Sequence, residues 1–301
     1  MSNPQPGIFV EGSRSHFFLE YQLLDTVAPA LLQQQVGAAI AALRQRDGRG
    51  VNIVWAFSAD CWQRLDKPQP AGLKPFQPIG QGDKTAPASQ RSIFVWVHGD
   101  SHSDNFDTAL RVTGLLEGIA RLELEVNGFV YKDSRDLTGF IDGTENPKEQ
   151  GRQKVALIPE GEIGAGGSFV LSQQWQHQLK PFHALPEAEQ EKVIGRTKAD
   201  SIELDDEVMP EDSHVSRSDV KLDGVAQKLY RRSVPYGGVR DHGLYFLAFS
   251  CELERYDRIL ASMFGTTDDG VRDRITDFST PLTGNYWFSP SRDELYSLVA
   301  D

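Results

Sequence analysis

The apolar positions of this chain fall into two periods. Residues 15–23 (SHFFLEYQL), 51–57 (VNIVWAF) and 92–98 (SIFVWVH) are short apolar runs and predict strands. Between them, 28–46 carries apolar residues at helical spacing and stops at Asp47-Gly48. Residues 106–122 show the same spacing before 124–131 returns to strand-like alternation. The stretch 67–87, rich in Pro, Gly and Lys, predicts a long loop. The second half repeats the order. Strand-like runs lie at 168–175, 229–236, 244–250 and 285–289, with helical patterns at 186–195 and 254–264.

Each half therefore reads β-α-β-β-α-β, the ferredoxin-like order. The expected fold class is α+β, with two ferredoxin-like halves, 1–147 and 148–301, built on antiparallel sheets. The repeat is one of element order, not of sequence. A sheet with helices on one face leaves its other face free, so two such halves can hold a flat ligand between a sheet and helices or loops. The boundary is expected near 146–167, where GEIGAGGS is rich in glycine.

Composition narrows the function. With 301 residues, 39% of them hydrophobic, the chain is long enough for one large core or two smaller ones. A net charge of −12 argues against partners built on phosphate, so neither nucleic acid nor an anionic membrane surface is expected. No apolar run approaches the roughly 20 residues needed to span a bilayer. Residues 1–11 show no basic or apolar leader pattern, so a cytoplasmic location is expected. The two cysteines, Cys61 and Cys251, read as reduced thiols.

Five stretches could carry chemistry. In Gly139-Phe140-Ile141-Asp142-Gly143-Thr144-Glu145-Asn146-Pro147, one carboxylate sits between an apolar pair and a glycine free to take positive φ. That arrangement can aim a single acid into a pocket. In 230–238 (YRRSVPYGG), strand alternation puts Arg231 and Ser233 on one face and Arg232 on the other. His214 follows a polar, Pro-marked loop, and Arg196 follows the short helix of the second half. His98, Asp100, His102 and Asp104 offer a different chemistry, a divalent-metal site for a hydrolase. Gly99 and two serines make that stretch read instead as a strand-to-helix loop with Asp104 as a cap.

Taken together, these runs resemble the dye-decolourising peroxidases, most specifically through GFIDGTENP. The resemblance covers 138–147, 194–198, 212–214, 230–236 and 274–290. It implies haem b between sheet and helices, with His214 as the iron ligand and Arg196 pairing with a propionate. Asp142 becomes the distal acid-base, flanked by Gly143 and Thr144, and Arg231 the distal arginine. Ser233 falls where the family holds distal water. Asp277 is expected to accept from the His214 Nδ1–H. The implied activity is reduction of hydrogen peroxide through a ferryl haem, with dyes, phenols or porphyrin-type molecules as reducing substrates. A homo-oligomer is expected. The competing readings are a non-catalytic haem or porphyrin carrier and the metal-dependent hydrolase.

Overall fold

The computed structural model describes residues 2–299. The first half supplies β1 (Ser15–Leu23), β2 (Val51–Phe57), β3 (Ile93–Gly99) and β4 (Ala120–Phe129). The second supplies β5 (Ser168–His177), β6 (Tyr230–Arg231), β7 (Val234–Gly237), β8 (His242–Ser250) and β9 (Asn285–Ser289). The helices used below are α1 (Pro29–Leu43), α2 (His102–Leu116), α3 (Glu187–Ile194), α4 (His214–Ser218) and α5 (Glu254–Met263).

The α+β class and the antiparallel pairing are as expected. The sequence pattern predicts a sheet for each half, whereas the structure joins both into one. Neighbours run β4-β1-β3-β2-β9-β5-β8-β7, and β7 returns to β4, so the sheet closes into a barrel. The two joins are thin. Phe57 pairs with Phe288 at one, and Tyr236 with Gly128 at the other. Closure follows from edge chemistry, because each half leaves two strand edges with unpaired backbone groups, and the edges of one half satisfy those of the other.

Alternation along the strands divides the apolar residues between two cores. Phe18, Val54, Phe94, Trp96, Val170, Tyr245, Phe249 and Trp287 fill the barrel. Phe17, Leu19, Ile53, Val95, Phe169 and Leu171 point outward and pack under α1, α2 and α5. Each large apolar side chain buried this way is worth about 1.5–3 kcal/mol, so both cores are needed.

Two boundaries differ from the sequence pattern. Helix α2 begins at His102, not at 106, because the Ser101 side chain accepts the Asp104 N–H and caps it. Asp104 is therefore inside the first turn and is not the cap. The helix stops at Leu116 because the chain from Ala120 onward pairs with β1. Within the predicted loop 67–87, Ile79–Gln81 and Lys84–Ala86 form a hairpin turned at Gly82, whose φ is +57°. Among the described residues, no helix is long and apolar enough to cross a membrane.

Candidate active site

Strands β6 and β7 lie on one continuous register along β8, with Arg231 opposite Ala248 and Val234 opposite Tyr245. Tyr230 and Tyr236 belong to the barrel core, so Arg231 points out of the barrel and Arg232 into it. Arg232 is buried, with its guanidinium 5.0 Å from the Trp96 ring. It donates to the carbonyls of Ile8 and Val10 and so pins the N-terminal segment. Arg231 is the opposite case. Its Nε is buried yet has no partner among the described residues. Ser233 faces outward as well, but its Oγ accepts the Leu247 N–H at 3.3 Å, replacing a bond of the strand ladder.

Asp142 arrives on the loop that leaves β4. The loop is anchored at Asp136, whose carboxylate accepts from both the backbone and the hydroxyl of Thr138. Asp136 also pairs with His177 at 3.0 Å. Burial would raise the Asp136 carboxyl, but these partners hold it at about 2. The chain then turns at Gly143, whose φ of +76° is the left-handed conformation that glycine adopts at no steric cost. Thr144 reaches Ser201 across the loop at 3.0 Å.

The electrostatics of Asp142 settle a competition that the sequence left open. Burial raises its pKa, and the nearby Arg231 only partly offsets this, so the carboxyl is raised overall. His214 also acts on Asp142, and both Asp142 and Arg231 act on His214. The three side chains therefore lie close enough for their charges to be felt mutually.

His214 is the first residue of α4, capped by Ser213. Its Nδ1 bonds the Asp273 carboxylate at 2.7 Å, and Asp273 is fully buried. Burial lowers the imidazole pKa, but Asp273 overrides it and the pKa is raised overall. The acceptor is thus Asp273 and not Asp277, which the family resemblance implied. Residues 274–277 form a 3-10 turn, and Asp273 stands before it as the cap. One Asp273 oxygen accepts the Ile275 N–H while the other faces His214. Asp277 instead pairs with Arg272 at 2.8 Å and Lys84 at 3.3 Å.

Arg196 is buried, with Glu203 at 2.5 Å, Glu145 at 3.4 Å and the Ser201 carbonyl at 2.9 Å. It ties the 196–203 segment to the Asp142 loop. The histidine-aspartate stretch does not converge on a metal. His98 lies between Ser13 and the Gly7 carbonyl, and His102 bonds Ser15. No group of three metal-ligating side chains occurs among the described residues.

The arrangement suits a planar, iron-bearing anion. His214 has Nδ1 fixed by a carboxylate, which orients the ring and strengthens its other nitrogen as a donor. The Arg231 Nε and the Gln173 Nε2 are buried polar groups without partners, both carried on outward-facing positions of the second-half sheet. Orphaned donors of this kind mark a place for a ligand.

Comparison with known proteins agrees. The model of the Dyp-type peroxidase N-terminal domain matches residues 22–130, and that of the C-terminal domain matches 133–294. The chain belongs to the Dyp-type peroxidases. A curated dye-decolorizing peroxidase of Mycolicibacterium paratuberculosis is 36% identical, over 90% of this chain and 77% of its own length. A Dyp-type peroxidase protein from Shewanella oneidensis superposes with a TM-score of 0.93 at 32% identity, covering 99% of each chain. A variant of Rhodococcus jostii RHA1 DypB in complex with heme superposes with a TM-score of 0.90 at 31% identity, covering 98% of each chain. Dyp-type peroxidases are haem enzymes that use hydrogen peroxide, and this chain is an enzyme of that class.

Proposed function

We propose that haem b would be held at the outer face of the second-half sheet, with His214 as the residue that would ligate its iron and Asp142 and Arg231 as the residues that would act on peroxide. The observation that carries this is the convergence of three groups from three separate segments. They are a half-buried carboxyl with a raised pKa, an arginine with a nitrogen unpartnered among the described residues, and an imidazole braced by a buried carboxylate. Each half of the barrel also has the strand order fourth-first-third-second, counted along the chain, which supports reading 1–147 and 148–301 as ferredoxin-like halves.

When bound, the haem supplies the two electrons that reduce peroxide. The chain supplies the rest. The Asp142 carboxylate takes a proton from one peroxide oxygen and returns it to the other, base first and acid second. Its raised pKa suits a group that must both hold and release a proton. The Arg231 guanidinium stabilises negative charge as the oxygen–oxygen bond breaks. Asp273 holds His214 in one tautomer and keeps its ring oriented. Dyes, phenols and porphyrin-type molecules are the donors this reading favours.

An optical spectrum before and after stoichiometric hydrogen peroxide tests the proposal. The expected result is a haem absorption band that shifts within the mixing time and recovers when a phenol is added. A band that only bleaches would leave a haem carrier, and no band after haem addition would remove the haem site.

A further inference from the structure

Asp142 and Arg231 must stay at a fixed separation, yet no hydrogen bond joins their side chains among the described residues. One side chain links the two segments. Asn146 lies four residues beyond Asp142, in the same turn, and its own N–H donates to the Gly143 carbonyl at 3.0 Å. Its Nδ2 donates to the Arg231 carbonyl at 2.7 Å, and its Oδ1 accepts the Arg231 N–H at 2.9 Å.

The strand geometry explains why those two groups are available. Arg232 N–H bonds the Leu247 carbonyl, so Arg231 lies at the non-hydrogen-bonded position of the β6–β8 pair. Its N–H and C=O therefore point away from β8, toward the barrel join. That join is closed only at Tyr236 and Gly128, and β4 has already ended at Phe129. Among the described residues, no strand reaches Arg231 from that side. The carboxamide of Asn146 presents one donor and one acceptor, as the backbone of a neighbouring strand would. A half-buried edge that would otherwise carry two unpaired backbone groups is satisfied by one side chain.

We infer that Asn146 is a positioning residue for the peroxide reaction. It locks the Asp142 turn onto the strand that carries Arg231 and so sets where the two groups meet the substrate. This rests on the reading of Asp142 and Arg231 given above. Asn146 acts through the backbone of Arg231 and the Asp142 turn.

The test uses Asn146→Ala, Asn146→Asp and Arg231→Leu in the full chain. Hydrogen exchange at the Arg231 amide, read without turnover, reports the clamp directly. In Asn146→Ala that amide should exchange at least about tenfold faster, since its acceptor is gone. In Asn146→Asp it should stay protected, because a carboxylate oxygen still accepts it. Stopped-flow mixing with peroxide should show a rate about 10- to 100-fold lower for Asn146→Ala, the scale of a misplaced catalytic group. Placed in the Arg231→Leu background, Asn146→Ala should cost less than it does in the wild type, because one of the two groups it positions is already absent.

Unchanged exchange at Arg231, or losses that multiply in the double variant, would overturn the inference. Should Asn146→Ala fail to fold, Asn146→Asp decides. An intermediate peroxide rate with a protected amide supports the clamp, and a wild-type rate refutes it. If Arg231→Leu alone leaves the peroxide rate unchanged, the reading of Arg231 fails instead, and the exchange data still stand.

Discussion

Two carboxyls, Glu20 buried inside the barrel and Asp142 half-buried outside it, separate the structural half of this molecule from the chemical one. Burial is the leading cause of a raised pKa in both. Glu20, pushed up to about 7, is surrounded by donors. Tyr245 reaches it at 2.7 Å, and Ser172 and Asn285 at 3.1 Å each. Its bonding capacity is met by these neighbours. Asp142 faces an arginine with an unpartnered nitrogen and an imidazole held by another carboxylate. The difference teaches that a perturbed carboxyl marks a reactive site only where its surroundings are left incomplete. Arg232 and Arg231 repeat the contrast one residue apart.

The comparison breaks first at the residue proposed to ligate iron. His214→Ala should abolish stable haem retention, measured by the haem-to-protein absorbance ratio after desalting. Asp273→Asn should weaken haem binding by about 10- to 100-fold, the usual cost of losing a carboxylate behind a metal-bound histidine. Asp277→Asn should leave haem affinity unchanged. Equal losses from the two aspartate variants would mean that Asp273 is not the working partner.

The pH dependence of stability sharpens the structural side. Glu20 has a folded pKa of about 7, above its unfolded value. A carboxyl raised on folding contributes stability that is complete below the unfolded pKa and is lost as pH rises through the folded one. Glu20 should therefore cost the protein roughly 3 kcal/mol between about pH 4.5 and 7. Urea unfolding at intervals across that window should show the loss in the wild type and a flatter profile in Glu20→Gln. A profile unaltered by the substitution would mean Glu20 is not the titrating group.

The smallest effect belongs to Ser233. Ser233→Ala removes the acceptor of the Leu247 N–H and should cost about 1 kcal/mol, the net worth of one hydrogen bond. Peroxide turnover should stay within a few-fold of wild type, as measured with a phenolic donor. A hundredfold loss would give Ser233 a direct part in the reaction.

Much of this was legible in the chain. Apolar runs placed β1 and β2 to the residue, and strand alternation separated Arg231 from Arg232. The Asp142-Gly143 turn also announced itself. Closure of the barrel did not, because each join rests on a single residue pair and leaves no periodic signal. Asp273 was missed because the family resemblance put that role on Asp277. In fact Asp273 lies outside the turn as its cap, a position that an Asp followed by a short helical pattern signals. The role of Asn146 was hidden because its partner lies 85 residues away and is a backbone edge, not a side chain.

The central claim is that outward-facing Arg231 does chemistry while inward-facing Arg232 holds the fold, and one paired measurement addresses it. Arg231→Leu and Arg232→Leu would be compared by stopped-flow mixing with peroxide and by thermal unfolding. Arg231→Leu should lower the peroxide rate by about a hundredfold or more with little change in unfolding midpoint. Arg232→Leu should leave the Ile8 and Val10 carbonyls unpaired and lower stability by about 2–5 kcal/mol, while the fraction that remains folded reacts at close to the wild-type rate. Equal rate losses in the two variants, or a stability loss confined to Arg231→Leu, would contradict the account.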